Sequence, residues 1–320
     1  MKRNLLIAAG LMLTAALLPA CGKQDAQSAK KQIIGISIPA ADHGWTGGVV
    51  YWAEQAKKDI EKANPDIEVQ IAASQTSGEQ VDKIENLMIR GMKVLVVLPN
   101  EPAPLTNVCA KVAGKGIRLV VVDRNLEKDV QDLHIAGDNT GFGRECGEVI
   151  AKELNGKGKI VIMEGVPCQV NSDRVNAFRE VMKKYPEIEI LESGTSNWQT
   201  ERGLALMENF LQKHKELDAV WAGDDDVLTG ALKAYQESGR KDVKLFLGGG
   251  GSKVIVKKVL DGDPLVRMTV TYPPKMIYVA AQEAVKTLKG ETFAEKVKIV
   301  PAEVVNAANA KDFYYPDSAY

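Results

Sequence analysis

The 320-residue chain lacks a charge excess. It has 41 Lys and Arg against 42 Asp and Glu, a net charge of -1. A nucleic-acid binder normally carries a basic surplus, so no nucleic-acid partner is expected. Cysteine is scarce: Cys21, Cys109, Cys146 and Cys168 lie far apart and form no CxxC. The three histidines, His43, His134 and His214, are equally scattered, so no zinc site can be read. No GxSxG elbow occurs, and no pairing of a nucleophile with a base follows any predicted strand. Beyond the first twenty residues no run is long and apolar enough to span a bilayer. What is present is the balance of a folded globular protein, 45% hydrophobic and 26% charged, at a length that suggests two domains.

The start of the chain points to export. Lys2 and Arg3 precede an apolar stretch over 5–20, shorter than the ~20 residues of a spanning helix. Leu18, Pro19 and Ala20 then lead to Cys21. A positive start, a short apolar stretch and small residues before a cleavage point form a secretory signal. The residues ending at Cys21 resemble a bacterial lipobox, whose cysteine is lipidated and becomes the new N-terminus. The expectation is a signal peptide with lipidation Cys over 1–21 and a polar tether over 22–32. The mature protein would lie in the periplasm or at the cell surface, lipid-anchored through Cys21. Export permits a disulfide, but the sequence does not choose a pair among Cys109, Cys146 and Cys168.

From Ile33 onward, short β-rich runs alternate with amphipathic stretches. The runs cover 33–38, 68–72, 94–98, 119–122, 159–163, 188–191, 219–222, 243–247 and 267–270. Helical patterns cover 49–63, 80–90, 105–113, 143–154, 174–184, 202–213, 227–237 and 253–260. Near-continuous apolar strands followed by helices predict parallel sheets covered on both faces, an α/β fold. The strand number and the break near Asp138 favour two doubly wound halves over one barrel.

Such folds place function at strand ends. Those ends carry Asp42, His43 and Trp45; Gln75; Asp123 and Arg124; Arg174; and Asp224, Asp225 and Asp226. Gly141, Gly143 and Gly147 form a GxGxxxG at a helix start, read as a close helix packing rather than a dinucleotide loop. The run of glycines over 248–251 is read as a flexible turn with a close backbone approach, not as a Walker loop. The three aspartates lack the alternation of a calcium loop; one is read as facing a cleft and one as capping the next helix. His134 falls on a short apolar strand as a satisfied core histidine, and His214 ends a helix, solvated. Carboxylates, guanidinium forks and aromatic faces together suit a ligand of hydroxyls and C–H faces.

These residues resemble a known family. The chain is similar, over about 33–305, to ribose-type (type I) substrate-binding proteins of bacterial ABC sugar importers. The marks are Ile34 to Ile38 opening the domain, Met88 to Gly91 before a strand, and Val121, Val122, Asp123 and Arg124 at a strand end. Further marks are His134 to Asn139, and Ala222 to Asp226 with Gly230, Ala231 and Leu232 in the helix that follows. The resemblance implies two Rossmann-like lobes joined by a three-crossing hinge and closing on a ligand. It implies crossings near 137–138, 270–272 and 298–301. One lobe is 33–137 plus 272–299, the other 138–271 plus 300–320.

Carried over residue by residue, Asp123 and Arg124 match the family's Asp-Arg pair and Arg174 its arginine from the other lobe. Trp45 and Trp198 stand where aromatics stack on the sugar, expected to sandwich a ring. Asp224, Asp42, His43, Gln75 and Thr271 fall at further contact positions. The family usually carries an Asp where this chain has Gly250, and a Gln where it has Thr271, which is followed by Tyr272. Ribose itself is therefore in doubt as the ligand. The implied partners are a monosaccharide or polyol, an ABC permease and a membrane reached through the lipid anchor. A monomer without cofactor, metal or catalytic residue is expected. The alternatives are a receptor for a chemotaxis or sensor protein on the same fold, and an exported carbohydrate-active enzyme, which would need a carboxylate pair across a cleft.

Overall fold

The computed structural model describes residues 31–41 and 43–320. The expected signal peptide, Cys21, nearly all of the tether, and Asp42 lie outside the described residues. The elements follow in the order β1 (Gln32–Pro39), α1 (Gly44–Ala63), β2 (Ile67–Ser74), α2 (Ser77–Ile89), β3 (Val94–Val97), α3 (Pro102–Gly114), β4 (Arg118–Val122) and β5 (Leu133–Gly137). Next come α4 (Asn139–Glu153), β6 (Lys157–Glu164), α5 (Gln169–Met182), β7 (Glu187–Thr195), α6 (Thr200–Lys213), β8 (Ala219–Ala222), α7 (Asp225–Ser238), β9 (Leu245–Gly250), α8 (Lys253–Leu260) and β10 (Met268–Thr271). The chain ends with α9 (Met276–Leu288), β11 (Val297–Val300), β12 (Val304–Asn306) and α10 (Ala310–Phe313).

The strands form two six-stranded sheets, ordered β11-β5-β4-β3-β1-β2 and β12-β10-β9-β8-β6-β7. The pairs of the first sheet are all parallel. In the second, only β12 on β10 is antiparallel. The apolar character of β1, with Ile34, Ile36 and Ile38 fully buried, follows from helices on both faces. This is the two-lobe α/β architecture expected from the alternating pattern.

The chain passes between the sheets between β5 and α4, between β10 and α9, and between β11 and β12. Backbone bonds tie these passages together. Asp138 N–H donates to Val300 O at 3.0 Å and Thr271 N–H to Glu303 O at 2.9 Å. Helix starts are capped by side chains that satisfy otherwise open N–H groups: Thr76 accepts from Glu79 N, Asp138 from Gly141 N, Asp224 from Asp226 N and Ser252 from Ile255 N.

The structure departs from the sequence reading in several places. Helix α1 begins at Gly44, five residues before the expected start, because His43 and Thr46 form a capping box that offsets the poor propensity of its glycines. Strands β11 and β12 were not among the predicted runs. His214 is not simply solvated: its Nε2 lies 3.0 Å from Glu192 Oε2 and its side chain is 21% exposed. Cys109 and Cys146 are buried, Cys168 is exposed, and all three are unpaired. The GxGxxxG helix α4 packs on α5: a Cβ on Gly143 would stand 2.0 Å from Arg174 O, and one on Gly147 would stand 2.8 Å from Val181.

Candidate functional site

The carboxyl ends of the two sheets face one another around the hinge, and Tyr272 stands at their junction. It follows β10, and its side chain is buried. Its hydroxyl donates to Asp123 Oδ1 at 2.5 Å and accepts from Asn139 Nδ2 at 3.4 Å. Its carbonyl accepts from the Trp45 indole N–H at 2.9 Å. Gly137 makes room for its ring; a Cβ there would lie 2.2 Å from it.

Asp123 comes from the end of β4 with φ +60, a left-handed conformation that Asp adopts more readily than most residues. Three bonds hold it. Its N–H donates to Ile135 O at 2.8 Å, its own carbonyl accepts from His134 Nε2 at 3.0 Å, and its carboxylate takes the Tyr272 bond. A carbonyl only accepts, so His134 carries its proton on Nε2. His134 is thus a satisfied histidine. Arg124 turns away: its Nη1 donates to Asn100 O at 2.7 Å, and its Nε lies 3.9 Å from Asp123 Oδ2.

Trp45 sits in the first turn of α1, buried, with its ring 6.0 Å from that of Tyr272 and tilted by 36°. From the second lobe, Arg174 on α5 reaches the same place. Its Nε donates to Asn139 Oδ1 and its Nη1 to Gly223 O, both at 2.9 Å. Its guanidinium is flanked by the rings of Phe142 at 4.4 Å and Tyr272 at 4.3 Å. A planar, always charged fork can stack between two rings while its N–H groups donate in their plane.

The three aspartates divide their tasks. Asp224 caps α7, its Oδ1 accepting from Asp226 N at 2.8 Å. Asp225 accepts from Ser252 N at 2.7 Å and from Thr269 Oγ1 at 3.1 Å, tying β8, β9 and β10 together. Asp226 crosses the cleft, its Oδ2 accepting from Gly44 N at 3.2 Å. Burial pushes all three carboxyls up. Asp224 lies well above its ordinary range, helped by the charges of Asp226 and Asp225, and Asp225 rises to about 6. Among the described residues no group of His, Cys, Asp and Glu is arranged to hold a metal ion.

The remaining expected residues are dispersed. Gln75 is exposed; a buried polar side chain nearby is Gln80, which donates to Leu98 O and Ser37 Oγ. Thr271 Oγ1 accepts from Glu303 N at 2.9 Å, so its hydroxyl serves the hinge. His43 caps α1. Trp198 adopts φ +58, rare for a bulky residue, and its indole N–H is buried with no hydrogen-bond partner among the described residues. It folds over Gly165, where a Cβ would stand 1.9 Å from Nε1. The aromatic neighbour of Trp45 is Tyr272, not Trp198. The structure therefore gathers Asp123, Trp45, Arg174 and Asp224 with Asp226, another of the strand-end aspartates, around two residues not named as site candidates, Tyr272 and Asn139.

A family profile described as a periplasmic binding protein domain matches residues 34–292. The chain belongs to the periplasmic binding protein family. Among curated members of this family, it is 26% identical to the ribose import binding protein RbsB of Bacillus subtilis over 283 residues, 86% of this chain and 90% of that one. It is 29% identical to a xylitol-binding protein of Mycolicibacterium smegmatis, over 77% of this chain and 70% of that one. Among solved periplasmic binding proteins, the component of the arabinose ABC transporter from Shewanella sp. ANA-3, bound to α- and β-L-arabinofuranose, superposes with a TM-score of 0.77. It is 25% identical, with 88% of this chain and 94% of that one covered.

Proposed function

We propose that this chain captures a sugar or polyol between its two lobes outside the cytoplasmic membrane and delivers it to an ABC permease. The observation that carries this reading is the convergence of Asp123, Trp45 and Arg174 on Tyr272, at the point where the chain passes between the sheets. An acidic acceptor, a planar cationic donor and an aromatic face suit a small polyhydroxylated ligand. The names of the relatives, for ribose, xylitol and arabinose, support the same class.

On this reading the moving parts are 33–137 plus 272–299 and 138–271 plus 300–320. Asp123, Arg174, Trp45 and Asp224 form the centre of the ligand site. Arg124, Trp198, His43, Asp42, Gln75 and Thr271 are outer contributors, Arg124 by swinging from Asn100 and Trp198 from Gly165. Lipidation at Cys21 holds the protein to a membrane, and it acts as a monomer. Nothing in this role requires a catalytic step.

A thermal-shift panel of pentoses, hexoses, inositols and linear polyols tests the proposal. Ligand at ~1,000-fold over its Kd stabilises by about 4 kcal/mol, a shift of several degrees. One member or a close stereochemical group should raise the Tm. A cooperative melt unmoved by the whole panel would overturn the ligand class.

A further inference from the structure

Tyr320 is the second tyrosine of the cleft, and no sequence argument pointed to it. It is 6% exposed, and its hydroxyl has no hydrogen-bond partner among the described residues. Three glycines of both lobes receive it. A Cβ on Gly44 would lie 2.9 Å from the Tyr320 ring, one on Gly48 2.9 Å from Tyr320 Cβ, and one on Gly250 only 1.7 Å from the hydroxyl oxygen. The charges of Asp224, Asp225 and Asp226 act on the phenol, as does that of Arg174.

Its placement is built. Lys253 Nζ donates to Ser318 O at 2.5 Å and to Pro316 O at 3.2 Å, and Tyr320 N donates to Ser318 Oγ at 3.2 Å. Tyr315 meets the Trp52 ring of α1 edge-on at 4.8 Å. The segment after α10 therefore runs from the second lobe onto the first and sets the phenol between them. The charged groups that act on it are already engaged: Asp224 by Asp226 N, Asp225 by Ser252 and Thr269, Asp226 by Gly44, and Arg174 by Asn139 and Gly223. A buried hydroxyl with both donor and acceptor capacity open calls for a partner that the described residues do not supply.

We propose that Tyr320 is a specificity-determining residue of the ligand cleft, its hydroxyl forming a hydrogen bond, opposite Gly250, with a hydroxyl of the bound sugar or polyol. This rests on the ligand class proposed above. Gly250 makes it possible, since any side chain there would expel the phenol.

The test is calorimetric titration of the full chain and of Tyr320→Phe with the compounds of the panel, D-ribose, L-arabinose, xylitol and myo-inositol included. The isosteric variant should lose about tenfold in affinity, the value of one hydrogen bond in a closed site. Its ligand-free Tm should be unchanged or raised, because an unpaired buried hydroxyl has been removed. The loss should vanish against the deoxy analogue lacking the partner hydroxyl. Equal affinity of the two proteins would overturn the proposal and leave the ligand class intact. Tighter binding by Tyr320→Phe and Tyr320→Ala would also overturn it, making the phenol an occupant to be displaced. A wild-type chain that binds nothing in the panel would overturn both readings.

Discussion

Tyr272 does at the scale of one residue what several contact positions were expected to do separately. It joins Asp123, Asn139 and Trp45 by hydrogen bonds and gives Arg174 one of its two ring faces. Burial, with the Asp123 charge beside it, pushes its phenol far up, so it remains a donor at any physiological pH. Tyr272→Phe should leave the buried Asp123 carboxylate without its partner and cost about 1–3 kcal/mol, read as a lower urea midpoint at unchanged slope. An unchanged midpoint would mean that water replaces the hydroxyl. Asp123 was legible in the sequence because a charged residue closing an apolar strand has few structural reasons to be there. Tyr272 was not, because its importance comes from hydrogen-bond partners more than a hundred positions away. Gln75 illustrates the converse: a polar residue after a strand, plausible by position, that points outward while Gln80 one turn into α2 does the buried work.

At the scale of elements, the α4–α5 pair fixes the arginine. Gly143 faces the backbone carbonyl of Arg174 itself, so the approach of the helices and the position of the guanidinium are one geometric fact. Gly143→Ala gains helix propensity but forces the helices apart. It should destabilise the protein by about 1–3 kcal/mol and weaken ligand binding, whereas Gly78→Ala, with open space around it, should do neither. Equal melting temperatures for the two variants would refute the packing argument. The helix pair was readable from small residues at helical spacing. Strand β11 was not: it lies at a sheet edge, and its apolar Val297 and Ile299 are 49% and 52% exposed, so its pattern does not mark a buried face. The early start of α1 was hidden by glycines, which read as a loop until the capping box is seen.

At the scale of the whole molecule, the aspartates of α7 tie stability to pH in an unusual direction. Asp225 titrates near 6 in the folded protein against an ordinary 3.8, because burial outweighs its hydrogen bonds. Between these values the folded state holds a proton that the unfolded chain has released, so stability falls as pH rises through the window. Taking the protein from pH 7 to pH 5 should therefore stabilise it by on the order of 1 kcal/mol, roughly 2 °C in Tm. Carboxylates held below their ordinary values, such as Asp242 and Glu283, work in the opposite sense, and their loss is felt only below about pH 5. Asp225→Asn should flatten the rise; a wild-type Tm that falls steadily from pH 7 to 5 would contradict it. The two-lobe plan was visible in the alternation of periods. The contact of the lobes through Gly44 and Asp226 was not, since no local pattern announces a hydrogen bond between helix starts of different lobes.

The three passages of the chain also set an order of assembly. Helix α9 packs on β1, β3, β4, β5 and α1, and β11 closes the edge of the same sheet, yet both lie beyond the strands β6 to β10 of the other sheet. While the chain emerges from N- to C-terminus, the first lobe thus waits, one apolar face open, until nearly all of the second lobe has appeared. A half-made chain has neither lobe complete, so nascent molecules expose sticky surface until late. That favours keeping them unfolded and escorted rather than letting them settle piece by piece.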